Sequence, residues 1–393
     1  MFDHLQIYDR RERALVGIVD IALQGVGLVG KTMRPRGQWP PRRILLLRLE
    51  RIGDLVMALE AIEDVRHAAQ AAEIDLVVGS WNDALARRIK GIARVETLDA
   101  AWLSRDGAGL PMRALVRRAR AWRQRRYDLG VNFEPDLRSN FLLAESRAAR
   151  TAGFSSGGGG GLLDVALRYD PRAHTASNAQ RLVAAVMDVP PRLTPARIEL
   201  TAEERRRARE RIGAARGPVV GVHVSGGRAI KQWDPERFRE LALRLARARG
   251  ATIVLTGSAG DRGLVEPVAR ALADFAVVDL AGTLDLPGLA AVLEQLDVFV
   301  TGDTGPMHVA AAVGTPVVAI FGPSDPARYA PRDAIHRIVR VDLPCSPCNR
   351  IRLPPDRCAG HIPDCLTGID VEMVFRAVEA TLDRSREPAA RSR

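Results

Sequence analysis

The chain has 393 residues, 47% of them hydrophobic, which excludes global disorder and favours two domains of ordinary size. Its net charge of +11 concerns partners more than fold: nucleic acid, anionic lipid or phosphorylated small molecules all suit it. Nearly all the basic residues are Arg; the lysines are Lys31, Lys90 and Lys231, so a retained Lys marks a place for a compact ammonium. Residues 1–41 stand apart. Leu15 to Val29 is apolar but includes Asp20 and Gln24, too short and too polar to span a bilayer. At helical spacing Arg13, Asp20, Gln24 and Lys31 share one narrow face, and Val16, Ile18, Val19, Ala22, Leu23, Val26 and Val29 cover much of the rest. Arg10, Arg11 and Arg13 flank one end, and Lys31, Arg34 and Arg36 the other. The pattern fits an amphipathic helix in a membrane interface, or an extra helix packed on the protein's own surface. No small-residue cleavage site follows the apolar stretch, so the expectation is a cytoplasmic protein, and Trp39-Pro40-Pro41 reads as a linker.

From Arg42 short apolar runs alternate with helical segments, the pattern of βα units on a parallel sheet. Ile44–Leu47 reads as a strand, Asp54 to Arg66 as a helix and Asp75–Gly79 as a strand. Residues 153–161, which include five consecutive glycines, read as a flexible loop, and Pro190-Pro191 as a domain edge. The alternation restarts at Val219–Val224. Helix 234–249, opened by Asp234-Pro235 and closed by Gly250, precedes strand 252–256, helix 261–273, strand 277–280 and helix 286–296. These expectations divide the chain into 1–41, a first α/β domain at 42–195, a second at 196–385 and a basic tail at 386–393. Two Rossmann-like domains facing across a cleft are expected to bind ligands beyond the carboxyl ends of their strands.

Several turns carry candidate chemistry. After the first strand, Arg48-Leu49-Glu50-Arg51-Ile52-Gly53-Asp54 puts Asp54 at a helix start, as a helix cap or as a general base. Ser225-Gly226-Gly227-Arg228 and Lys231 form a small-residue loop whose N–H groups and ammonium suit phosphate oxygens. Asp261 follows a further strand, as a cap or as an acceptor for ribose hydroxyls. Gly302-Asp303-Thr304-Gly305-Pro306-Met307-His308 reads as strand, tight turn and helix start. Pro306 suits a first helical position, where a missing N–H costs nothing, and the helix N-terminus suits a diphosphate. Arg113, Arg117, Arg118, Arg120, Arg123, Arg125 and Arg126, with no acid between them, form a solvated helix or a surface for an acidic acceptor. Cys345, Cys348, Cys358 and Cys365 begin as CxxC, but the later spacing leaves a zinc site undecided.

In order along the chain, Ile44-Leu45-Leu46-Leu47-Arg48-Leu49-x-x-Ile52-Gly53-Asp54, Gly226-Gly227, Lys231-x-Trp233, Leu255-Thr256-Gly257, Asp303-Thr304-Gly305-Pro306-Met307-His308-x-Ala310-Ala311-Ala312 and Phe321-Gly322-Pro323-Ser324-Asp325-Pro326 resemble glycosyltransferase family 9, the heptosyltransferases of bacterial lipopolysaccharide synthesis. The Cys345-Ser346-Pro347-Cys348 cluster is similar to that of many members. The resemblance covers about residues 42–380. It implies the GT-B fold, with acceptor in the first domain and nucleotide-sugar in the second, and inverting transfer without a catalytic metal or other cofactor. Asp54 would take the acceptor proton. Lys231, Thr304 and Gly305 would stabilise the departing diphosphate. Asp303, Asp261 and His308 would complete the donor site, and Arg113, Arg117 and Arg120 would face the acceptor. The implied partners are a nucleotide-sugar, with ADP-heptose first, an anionic lipid-linked glycan and the inner-membrane surface. The rivals are a GT-B epimerase or hydrolase, and a nucleic-acid-binding protein. The latter leaves the turns unexplained, and an aromatic content of 5% supplies few stacking platforms.

Overall fold

The computed structural model describes residues 2, 4–32, 37–103, 107–193, 195, 197–351 and 353–386. Arg34, Arg36 and the tail from 387 onward, invoked above for their charge, lie outside the described residues. The chain divides into two compact units, Met1–Ala196 and Arg197–Arg393.

The first unit runs α1 (Arg10–Thr32), β1 (Arg43–Arg48), α2 (Ile52–Ala68), β2 (Glu73–Val78), α3 (Asp83–Ala86), β3 (Ile92–Thr97), α4 (Met112–Ala121), β4 (Leu129–Asn132), α5 (Leu137–Glu145), β5 (Arg150–Phe154), β6 (Val165–Leu167) and α6 (Thr175–Met187). The second runs α7 (Ala202–Ile212), β7 (Val219–His223), α8 (Pro235–Arg249), β8 (Thr252–Thr256), α9 (Arg262–Ala271), β9 (Val277–Asp279), α10 (Leu286–Glu294), β10 (Val298–Gly302), α11 (Gly305–Ala312), β11 (Val317–Ile320), α12 (Pro326–Tyr329), β12 (Arg337–Val339), α13 (Asp364–Thr367) and α14 (Val371–Arg386).

Among the described residues each unit carries one six-stranded sheet, ordered β3-β2-β1-β4-β5-β6 and β12-β11-β10-β7-β8-β9. All the strand pairs are parallel. Both sheets therefore have one doubly wound order, in which the chain reverses direction between the first and fourth strands of the unit. That reversal lies between β1 and β4 in the first unit and between β7 and β10 in the second, and both candidate sites sit there.

The strands need no alternation because both faces are covered. Ile44, Leu45, Leu46 and Leu47 are all fully buried, as are Val220, Val222, Ile253, Val254, Val298 and Val300. Helix boundaries follow the capping residues. Asp234 accepts a bond from the Glu236 N–H, Pro235 opens α8, and Gly250 closes it in the left-handed region. Trp233, fully buried, donates from Nε1 to the Ile369 carbonyl at 3.0 Å, and α14 returns Val374, Phe375, Val378 and Leu382 to the same core.

The glycine-rich segment expected to be flexible is packed. Gly158 and Gly159 adopt positive φ, and Asn140 Nδ2 donates to the carbonyls of Phe154 and Gly158 at 2.9 Å. On its other side lies α1: a Cβ on Gly27 would stand 2.3 Å from the Gly161 carbonyl oxygen. Glycine serves here for close approach of two backbones, not for freedom. The contact inverts the usual sidedness of a surface helix. The buried Asp20 accepts from the Gly159 N–H at 2.6 Å and lies on the inner stripe with Val16, Leu23 and Gly27, whereas Leu15, Ile18 and Ile21 are each at least 60% exposed.

Candidate active site

In the first unit the turn after β1 is held by ion pairs and by its neighbour β4. Arg48, the last residue of β1, is 3% exposed. Its Nη1 donates to the Phe133 carbonyl and pairs with Glu50 Oε2, both at 2.8 Å. Its Nε donates to the Asp54 carbonyl at 3.0 Å, and its Nη2 lies 3.4 Å from Asp54 Oδ1. Burial works against the guanidinium charge, but Glu50, Asp54 and Glu134 together raise its pKa. Asp54 is both cap and candidate base. Its Oδ2 accepts from the Arg51 N–H at 3.2 Å, in the third position of α2, while its side chain remains 29% exposed. A group so held has a fixed carboxylate with an open side, the geometry a general base requires.

The second unit brings Lys231 and Asp303 together between β7 and β10. Lys231 Nζ donates to the Asp303 carbonyl at 2.5 Å and to Oδ2 at 3.0 Å. Burial pushes the Asp303 carboxyl up, but the Lys231 ammonium outweighs it, and Asp303 titrates below its ordinary value. Gly305 opens α11 with Pro306 just behind it, so Pro306 takes the second helical position and not the first. Thr304 is the residue before the helix, and its hydroxyl meets that of Thr301 at 3.0 Å. His308 is buried within α11, near enough to Asp303 to contribute to lowering its pKa.

The glycine loop differs from the expected phosphate cradle. Gly226 N–H donates to Gln232 Oε1 at 2.6 Å and Gly227 N–H to Ser225 Oγ at 3.2 Å, so side chains of the loop already engage these donors. Asp261 closes a capping box, accepting from the Ser258 N–H and hydroxyl at 2.7 and 2.6 Å. Burial opposes its charge, and bonds from Ser258 and Ser225 more than compensate. His223, at the end of β7, faces Thr256 Oγ1 at 3.1 Å and is kept neutral by burial, its pKa lowered to about 4.

The family model for glycosyltransferase family 9 (heptosyltransferase) matches residues 115–355, more than half of the chain. The chain belongs to glycosyltransferase family 9. It is similar to the lipopolysaccharide core heptosyltransferase OpsX of Haemophilus influenzae, 23% identical over 77% of this chain and 85% of that protein. It is likewise similar to lipopolysaccharide heptosyltransferase 1 of Pseudomonas aeruginosa, 27% identical over 78% and 86%. The solved structure of the Escherichia coli ADP-heptose lipopolysaccharide heptosyltransferase II shares the fold, with a TM-score of 0.71, 20% identity and coverage of 87% of this chain and 99% of that one. The two parallel sheets are thus those of the GT-B architecture, and the chain is a glycosyltransferase.

Family membership leaves the individual roles to geometry. Asp54 lies before the matched segment, on the tied turn described above. The Arg-rich segment is divided among different partners. Arg113 and Arg117 are exposed on α4, whereas Arg120 and Arg123 pair with Glu145, at 2.7 and 2.6 Å, and Arg125 engages Glu73 and Asp75. The four cysteines are free thiols close enough to influence one another; burial, then Cys348 and Cys358, push Cys365 up to about 11. Among the described residues no three His, Cys, Asp or Glu side chains converge as a metal-binding group. Sequence reasoning missed Glu134, although an acid two residues beyond the short strand Leu129–Asn132 is a strand-end carboxyl, as Asp303 is after β10.

Proposed function

We propose that this enzyme transfers a heptose from ADP-heptose to the lipopolysaccharide core or another lipid-linked glycan, with inversion, at the inner-membrane surface. The observation that carries the reading is the Lys231–Asp303 pair beside the start of α11, at the switch point of the second sheet. A diphosphate leaving group develops negative charge as the anomeric C–O bond breaks, and an ammonium with a helix N-terminus stabilises it. Asp303, released from Lys231 when phosphate takes its place, is free to accept from a sugar hydroxyl. Asp54 takes the proton of the acceptor hydroxyl as its oxygen attacks the anomeric carbon. The names of the Haemophilus and Escherichia relatives support the core acceptor and the ADP-heptose donor.

Thermal shift with ADP, UDP, GDP and CMP tests the donor. At about 100-fold excess over Kd, ADP stabilises by about 2.7 kcal/mol, a rise of about 5–10 °C in Tm, and the others by far less. Equal shifts with UDP or GDP would replace the donor.

The membrane side of the reading rests on α1. No described helix is long and apolar enough to cross a membrane. Yet α1 points Leu15, Ile18 and Ile21 outward, with Arg10 and Arg11 exposed at its start, while its buried Asp20 docks on the glycine segment. Left in water, each such side chain forgoes up to about 2 kcal/mol of burial, which an interface between head groups and acyl chains supplies. The protein is expected to sediment with phosphatidylglycerol vesicles, and the double variant L15E/I18E to lose at least about tenfold in partitioning without a change in Tm. Equal sedimentation of the variant would remove α1 from the binding surface.

A further inference from the structure

The switch point of the first sheet holds a carboxyl group that the transfer step above does not use. Glu134 follows β4 and is 1% exposed. Its Oε1 accepts from the N–H of Leu49 and, at 2.9 Å, from that of Glu50, so one oxygen ties down the turn that delivers Asp54. Its own backbone is fixed by Asn132, whose Oδ1 accepts from the Glu134 N–H and whose Nδ2 donates to the Glu134 carbonyl. Its Oε2 is buried and meets no hydrogen-bond partner among the described residues. A buried carboxylate oxygen with no donor is costly; the hydroxyl of a carboxylic acid far less so.

The surrounding charges agree. Glu134 is acted on by the Arg48 guanidinium of β1 and by the carboxylates of Glu50 on the turn and Asp136 ahead of α5; Asp54 of α2 and Tyr169 act on the same Arg48. Arg48 directs its bonds to Glu50, Asp54 and Phe133. An ionised Glu134 would be a further negative charge competing for the Arg48 guanidinium. Burial, and then Glu50, push the Glu134 carboxyl up to about 8.

We propose that Glu134 is a positioning residue: a carboxylic acid that keeps its proton on Oε2, clamps the Leu49–Glu50 turn through Oε1, and so leaves Arg48 to orient the Asp54 carboxylate. The proposal rests on Asp54 as the base. Glutamine reproduces the neutral acid, with an oxygen for the two N–H groups and no titration; alanine removes the clamp.

The test compares wild type, E134Q and E134A for transfer rate, donor KM and Tm across pH. Wild-type kcat is expected to fall as pH rises through about 8, and that limb to be missing in E134Q. At neutral pH E134A should lose at least about tenfold in kcat with donor KM within about twofold, and E134Q should recover most of the loss. Because folded Glu134 holds its proton to higher pH than an unfolded carboxyl, wild type loses stability between the ordinary glutamate range and about pH 8. The Tm of E134Q relative to wild type therefore rises across that window. An unchanged alkaline limb in E134Q, turnover as low as that of E134A, or a Tm difference that ignores pH would overturn the proposal. A purely structural clamp would lower Tm without moving the limb. Failure of the base assignment reads out separately: it appears as transfer surviving in D54N, while the Tm difference still reports the Glu134 proton.

Discussion

Asp54→Asn is expected to lower kcat by about 10²–10⁴-fold while leaving ADP affinity within about twofold. The substitution keeps shape and most of the local bonding. An amide oxygen still accepts from the Arg51 N–H, and Arg48 keeps its bonds to Phe133 and Glu50. What disappears is the ability to take a proton while the acceptor oxygen attacks. Loss of the charge near the α2 N-terminus and of its attraction to Arg48, which keeps its pair with Glu50, costs about 1–2 kcal/mol of stability, too little to unfold the unit. Single-turnover transfer on a fluorescent acceptor, with ADP binding by calorimetry in parallel, separates the two effects. Transfer within about tenfold of wild type would reduce Asp54 to a helix cap.

The same residue shows what a sequence conveys and what it leaves out. Asp54 could be placed at a strand-to-helix turn because buried parallel strands read as unbroken apolar runs and helix starts have marked composition. Asp234, Pro235 and Gly250 delimit α8 for the same local reason. The Lys231–Asp303 pair was not legible: the partners are 72 residues apart and meet because β7 and β10 are neighbours. Glu134 is hidden from the sequence for a like reason. Its partners at Leu49 and Glu50 lie 85 and 84 residues away across the β1–β4 pairing, and nothing in the local pattern reports burial. The glycine segment misled in the opposite direction. Composition cannot distinguish glycines that permit motion from glycines that permit contact, and here contact with α1 decided. The helix itself is legible as two-sided, but which side faces the protein depends on Gly159 offering its N–H to Asp20.

Lys231→Met is expected to separate the stability of the donor half-site from its chemistry. Both partners of the Lys231–Asp303 pair are less than a fifth exposed. Removing one leaves a buried carboxylate uncompensated, at a cost of about 3–5 kcal/mol. The pH dependence gives the sign. In wild type the folded Asp303 pKa is depressed, so the pair's contribution is present above the ordinary aspartate value and lost as pH falls through the folded one. Without Lys231, burial remains, opposed only by the smaller influences of the Ser324 hydroxyl and His308. The folded pKa then moves above the ordinary value, and the variant loses stability as pH rises toward neutrality. The Tm gap between wild type and K231M should therefore be small in acid and widen toward pH 7. Adding Asp303→Asn removes the stranded charge and should recover most of the lost Tm, a coupling visible in the double-mutant cycle. Turnover should not recover, because the ammonium that meets the departing diphosphate is still missing and the double variant also lacks the Asp303 carboxylate for the sugar hydroxyl; kcat stays at least about 10²–10³-fold down in both variants. Recovery of turnover together with Tm would mean that Lys231 serves only to neutralise Asp303, and that the leaving group is stabilised by the α11 N-terminus alone.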